Sequence, residues 1–74
     1  MNDVTKRVAS YVERLGVNIA KMSRDIGVPY SALYDSLVND ERDRTLRDKE
    51  FLLICQYLEK NPMDFADHLP RKVS

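Results

Sequence analysis

The sequence contains few of the side chains from which catalytic and metal sites are built. Among its 74 residues are one cysteine (Cys55), one histidine (His68) and no tryptophan. A lone cysteine excludes an internal disulfide, and no second thiol or imidazole stands at ligand or nucleophile–base spacing. No glycine-rich phosphate loop is present either. We therefore expect a non-enzymatic protein with no cofactor, metal or small-molecule ligand, in which Cys55 fills the core and His68 lies at the surface.

The sequence also lacks long apolar runs and an excess of either charge. No stretch approaches the roughly 20 apolar residues that span a bilayer, and the first ten residues, MNDVTKRVAS, have no signal-peptide core. Twelve basic residues balance twelve acidic ones, so the average charge draws the chain neither to nucleic acid nor to a membrane surface. We expect a cytoplasmic protein of one small domain, residues 1–74, without a membrane partner.

Only two glycines and three prolines interrupt apolar residues that recur with helical spacing. This pattern predicts five helices. In chain order they are Asp3 to Leu15, Asn18 to Ile26, Pro29 to about Val38, a segment opened by a Thr45–Asp48 capping box, and a short segment capped by Asn61. Pro29 suits a first helical turn because its missing N–H would be unpaired there anyway. The tail, residues 70–74, is expected to be loose.

The second and third predicted helices, residues about 18–38, are joined by a short turn at Gly27. Two short helices around a three-residue glycine turn have the geometry of a helix-turn-helix, and glycine accepts the positive φ that a sharp turn needs. Val28 and Leu33 should fill the wedge between the helices. Ser23 should be the small residue where the two backbones come closest. The sequence thus predicts an all-α domain with a central helix-turn-helix.

These residues resemble a known family. The stretch GVNIAKMSRDIGVPYSALY, residues 16–34, is similar to the helix-turn-helix of the Xre/Cro/lambda-repressor-like regulators, and the resemblance continues to CQYLEKNPMDF, residues 55–65. It implies a compact five-helix domain that binds double-stranded DNA as a homodimer, with its third helix in the major groove. The sequence departs from the family at Ile19, where a glutamine is usual, at Pro29, where a serine or threonine cap is usual, and at Ser36, where a core aliphatic is usual.

The resemblance places the base-facing residues on the third helix: Tyr30 and Ser31 early in it, with Tyr34 and Asp35 one turn later. Backbone anchoring requires cations. The candidates on the second helix, and in and after the charged loop that follows the third helix, are Lys21, Arg24, Arg42, Arg44 and Arg47. Serine bonds several base edges, and a carboxylate accepts from a cytosine amino group. Because no arginine–guanine or glutamine–adenine pair is available on this helix, base specificity should be modest or depend on DNA shape.

The sequence therefore predicts a DNA-binding transcriptional regulator, a homodimeric repressor, with Phe65 and Leu69 as candidates for the dimer patch. Closure of the core is the alternative role for those two residues. The alternative function is a protein-binding module, such as an antitoxin, inhibitor or adaptor, that presents Tyr30 and Tyr34 to a protein. For the charged stretch NDERDRTLRDKE, residues 39–50, the alternative to phosphate contact is a solvated and self-neutralising loop.

Overall fold

The computed structural model describes residues 2–39, 41–42 and 44–65. Within these ranges the chain forms α-helices and one 3-10 turn, with no strand: α1 Asp3–Leu15, α2 Ile19–Ile26, α3 Tyr30–Leu37, α4 Asp48–Leu58, and the 3-10 turn Pro62–Asp64. The all-α prediction is confirmed for these ranges. None of the helices described is both long and apolar enough to cross a membrane.

In the part of the chain that the structure describes, the predicted fifth α-helix is not found. Asn61 caps the segment as predicted, and its Oδ1 accepts a hydrogen bond from the Met63 N–H at 2.9 Å. However, the described residues continue only as the 3-10 turn Pro62–Asp64, with Phe65 after it. The rest of the predicted helix, and the tail at residues 70–74, lie outside the described residues. The structure therefore shows four α-helices over the ranges it describes.

Asparagine caps set the starts of α1 and α2 where the sequence predicted them. Asn2 Oδ1 accepts from the Thr5 N–H at 2.8 Å, and Asn18 Oδ1 accepts from the Lys21 N–H at 3.0 Å. Each cap satisfies one of the backbone donors that a helix start leaves unpaired. Gly16 follows α1 with φ 70°, the left-handed conformation that ends many helices. The predicted bounds of α1 are confirmed, and those of α2 differ only in counting its cap.

The starts of α3 and α4 differ from the prediction. Pro29 precedes α3 as an extended residue instead of forming its first position, and no side chain caps this helix. The Thr45 capping box is wrong: α4 begins after Arg47, whose backbone N–H donates to Glu50 Oε1 at 2.9 Å. Glu50 is the third residue of the helix, so its carboxylate reaches back to the residue before the helix. A guanidinium has no acceptor with which to complete the reciprocal bond.

The core forms where the inward faces of the four helices meet. Its fully buried apolar side chains include Val8, Met22, Leu33 and Ile54, each with no exposed surface. Val28 and Leu33 are both buried, as predicted for the wedge between α2 and α3, and Cys55 is buried, as predicted for a core filler. The apolar spacing is therefore confirmed at these positions. It is wrong at Leu15 of α1 and Leu52 of α4, which it also predicted to face the core and which are 55% and 53% exposed.

Phe65 closes the core from the end of the described chain. It is buried, and its ring lies edge-on to Tyr11, with centroids 5.5 Å apart, and to Phe51, with centroids 6.1 Å apart. Such edge-to-face pairs stabilise the fold in addition to the contribution of the apolar area that they bury. Phe65 thus lies in the core, as the core-closing alternative predicted. The other dimer candidate, Leu69, and the histidine, His68, lie outside the described residues.

One buried polar contact fastens the loop before α4 to α1. Thr5, almost fully buried, accepts a hydrogen bond on Oγ1 from the backbone N–H of Leu46 at 3.1 Å. Leu46 is itself in the core, so this N–H has no access to water. A buried backbone donor without a partner would destabilise the fold. Thr5 therefore connects the loop before α4 to α1.

Candidate nucleic-acid interface

A tight turn sets α3 against α2. Gly27 has φ 75°, and its N–H and that of Val28 both donate to the Ser23 carbonyl, at 3.0 and 3.1 Å. Ser23 is buried, and its hydroxyl donates to the Ala20 carbonyl at 2.7 Å. The two helices pack directly on each other. The glycine and the small, internally bonded serine thus stand where the sequence predicted them. Gly27 accepts the left-handed conformation of the turn, and the small Ser23 fits where the two helices pack.

The exposed face of α3 carries a pair of tyrosines. Tyr30 and Tyr34 keep 47% and 38% of their surface exposed, and their rings lie 5.8 Å apart at 37°. Ser31 is also exposed between them, and Asp35 is half-buried. Leu33 and Ser36 on the same helix are completely buried. The four predicted base-facing residues thus lie on the helix face opposite the core, and we call Tyr30 and Tyr34 the tyrosine pair.

The cations of α2 differ in their availability. Lys21 Nζ is 2.9 Å from Asp25 Oδ2, one turn along the helix, and both side chains are exposed. This hydrogen bond raises the pKa of Lys21 and lowers the pKa of Asp25, and the Tyr57 hydroxyl on α4 reinforces both shifts. Arg24 is exposed and has no such hydrogen-bonded carboxylate among the described residues. Of the two predicted contacts on α2, Arg24 is therefore the one with its donors free.

The three loop arginines do not behave alike. Arg42 and Arg47 are exposed, and neither guanidinium has a hydrogen-bond or ion-pair partner in the part of the chain that the structure describes. Arg44 is partly buried and is bonded internally. Its Nη1 and Nη2 donate to the two carboxylate oxygens of Glu50 at 3.0 and 2.9 Å. Two parallel bonds of this kind are the strongest arrangement of an arginine and a carboxylate.

Arg44 also reaches α3. Its Nη1 lies 2.7 Å from Ser36 Oγ and 3.4 Å from the Ala32 carbonyl. We call this arrangement of Arg44, Glu50, Ser36 and the Ala32 carbonyl the Arg44 clamp. It ties α3 to the start of α4, so the structure gives Arg44 an internal role, and we remove it from the predicted phosphate contacts.

The Arg44 clamp explains the unusual Ser36. A serine in an apolar core would leave its hydroxyl without a partner, but here the hydroxyl accepts from Arg44. Hydrogen bonding to Arg44 lowers the pKa of Glu50, and Glu50 raises the pKa of Arg44 in turn, with a smaller contribution from the charge of Asp35. The sequence signal for this contact was a polar residue at a core position together with an arginine in the next loop.

The resulting surface is an aromatic face of α3 that carries one carboxylate, Asp35, and no cation, and the nearest cations in the sequence lie on α2 and in the loop before α4. The tyrosine pair and Ser31 supply hydroxyl groups that donate and accept hydrogen bonds. Arg24, Arg42 and Arg47 supply the positive charge, since Lys21 is paired with a carboxylate and Arg44 is internal. Comparison of the chain with protein-family models, with curated proteins and with solved structures gave no match. Its function is therefore inferred from the physical features of this surface.

Proposed function

We propose that the protein is a DNA-binding transcriptional regulator, a homodimeric repressor that reads the major groove with α3. The observation that carries this proposal is the division of α3 into two faces. Leu33 and Ser36 are wholly buried, whereas Tyr30, Ser31 and Tyr34 project from the opposite face after the sharp turn at Gly27. An α-helix about 10–12 Å across fits a major groove about 12 Å wide. In this proposal α2 and α3 are the two helices of a helix-turn-helix.

The side chains on the exposed face of α3 determine which DNA groups it can bind and how specifically it recognises bases. A phenol hydroxyl bonds a phosphate or a base edge, and an aromatic ring packs on a thymine methyl group. Asp35 accepts from a cytosine amino group. The exposed face of α3 carries no arginine, so the common bidentate contact with guanine is missing from this helix. We therefore infer modest base readout, supplemented by the shape and deformability of the DNA.

Phosphate anchoring is assigned to Arg24, Arg42 and Arg47. Three such contacts in each subunit, six in the homodimer, predict that the logarithm of the binding constant falls with the logarithm of salt concentration with a slope of roughly −5. The test is binding of the purified protein to DNA from around its own coding region, with random DNA as competitor, at several salt concentrations. Specific binding that weakens along this slope supports the proposal. A folded protein that shows no preference for any of this DNA contradicts it.

A pair of charge variants separates backbone contact from general electrostatics. Arg42→Ala/Arg47→Ala removes four of these contacts from the homodimer, so it should make the salt slope shallower by about 4 and weaken binding to all sequences alike. The matched control is Arg14→Gln/Lys60→Gln. It removes two cations that lie beside the Tyr11 ring, in a depression that no residue of α2 or α3 lines. An equal loss of affinity in both double variants would contradict the assignment of the loop arginines.

One observation favours a second candidate, a protein-binding module. The tyrosine pair is exposed on a chain of zero net charge, and exposed tyrosines are enriched in the energetic centres of protein interfaces. Aromatic contact with a protein depends little on salt, unlike phosphate contact. Tyr34→Ala would weaken binding in either case. A partner captured by the wild type, lost in that variant and held at high salt would favour this candidate.

A further inference from the structure

An open groove of about 710 Å³ runs along one side of α1. It is bounded by α1, by the start of α2 and by the end of α3, where Leu37 and Val38 line it. Tyr30, Ser31 and Tyr34 do not line it. The groove is therefore a second surface, separate from the residues proposed to read DNA.

The α1 side of the groove carries two opposite charges with small residues between them. Lys6, Ala9, Ser10 and Glu13 line it in that order. Lys6 and Glu13 are exposed, and the described residues provide no hydrogen-bond or ion-pair partner for either. Seven residues of helix separate them by roughly 10 Å along the axis, so they do not pair with each other.

This order is self-complementary under a two-fold axis. If two α1 helices lie antiparallel and cross between residues 9 and 10, Lys6 of one copy faces Glu13 of the partner subunit. The symmetry repeats the same contact on the other side of the axis, as in any isologous interface. Small side chains at the crossing point allow two helices to approach closely. We propose that this groove is the homodimer interface and that its occupant is α1 of a second copy.

The apolar lining supports the same occupant. Val38 is exposed to 46%, and Val17 and Ile19 are half-buried, beside the charged positions of α1. A second copy would cover these side chains, and by symmetry the first copy would cover the same side chains of the second. Stable interfaces bury roughly 800 Å² on each partner, and one helix with a few flanking residues supplies less than that. We therefore expect a weak dimer that dissociates in the micromolar range and tightens on DNA.

The interface leaves the proposed reading face open. Only the C-terminal end of α3 reaches the groove, so Tyr30, Ser31 and Tyr34 stay uncovered in both copies. The inference rests on the homodimer of the proposed function and not on DNA as the ligand. Its test is accordingly carried out without DNA.

The experiment is sedimentation equilibrium at low salt on the wild type, on Lys6→Glu, on Glu13→Lys and on an equimolar mixture of the two variants. Each single variant places like charges opposite each other on both sides of the axis, so its homodimer should be about tenfold weaker or more. The mixture should recover association as a heterodimer, because the two acidic positions of the Lys6→Glu subunit then face the two basic positions of the Glu13→Lys subunit. The double variant Lys6→Glu/Glu13→Lys should recover it as a homodimer. Salt of about 1 M should remove these differences.

Circular dichroism confirms that each variant is folded, which is expected because both positions are exposed. Single variants that associate as strongly as the wild type overturn this interface while leaving the dimer intact. A mixture that associates no more strongly than either single variant alone also overturns this interface. A wild type that remains monomeric at the highest concentrations overturns the homodimer itself, and DNA binding is then judged separately from the salt series.

Discussion

The substitution Arg44→Ala tests the contact that positions α3. It leaves the Glu50 carboxylate with only the Arg47 N–H, and it removes the partner of the fully buried Ser36 hydroxyl. Removing one member of a buried ion pair costs about 3–5 kcal/mol, whereas a surface pair contributes less than about 1 kcal/mol. The side chains of Arg44 and Glu50 are 26% and 13% exposed, which lies between these limits.

We therefore expect Arg44→Ala to lower the free energy of unfolding by about 2–3 kcal/mol. For a chain of this size, each kcal/mol lowers Tm by about 4–8 °C, so the melting temperature should fall by roughly 10–20 °C. Urea and thermal unfolding followed by circular dichroism measure both quantities. The matched control is Arg42→Ala, which removes an exposed arginine two positions away and should change stability by less than about 0.5 kcal/mol.

The pH dependence distinguishes the ion pair from lost packing. Hydrogen bonding to Arg44 lowers the pKa of Glu50 in the folded protein. The resulting stabilisation is therefore fully present above the ordinary glutamate value of about 4.3 and is lost as pH falls through the lowered folded value. The stability difference between wild type and Arg44→Ala should shrink over that acidic range. A loss within 0.5 kcal/mol of zero, or a difference that does not change with pH, would refute the reasoning.

Two further substitutions test the turn and the loop. Gly27→Ala should lower the free energy of unfolding by about 1–2 kcal/mol. Because φ is 75° and an added Cβ meets no atom within 4 Å, backbone strain is the whole penalty. Asparagine tolerates this conformation better, so Gly27→Asn should lose less stability, and equal losses in urea unfolding would argue against strain. Thr5→Val keeps the volume but leaves the buried Leu46 N–H unpaired, so it should lose about 1–3 kcal/mol. Hydrogen exchange of that amide should accelerate in Thr5→Val and not in Thr5→Ser, and unchanged exchange would contradict the role of the hydroxyl.

Local rules in the sequence determined where the first helices lie. An asparagine before each of α1 and α2 and a glycine after each are sufficient signals, since capping bonds involve only residues within one turn. The apolar spacing likewise identified the buried faces, including Val28, Leu33 and Cys55. It also placed Tyr30 and Tyr34 on one side of α3, because residues four apart share a helix face.

Contacts between distant residues were decided only by the tertiary structure. The sequence predicted Arg44 as a phosphate contact, whereas the folded chain places Glu50 and Ser36 within hydrogen-bond distance of its guanidinium. Thr5 and Leu46 are joined across 41 positions, a separation over which no periodic pattern carries information. Phe65 was assigned to the core by its packing on Tyr11 and Phe51. Hydrogen-bond satisfaction and packing depend on which side chains meet, and a single sequence specifies that only through the folded chain.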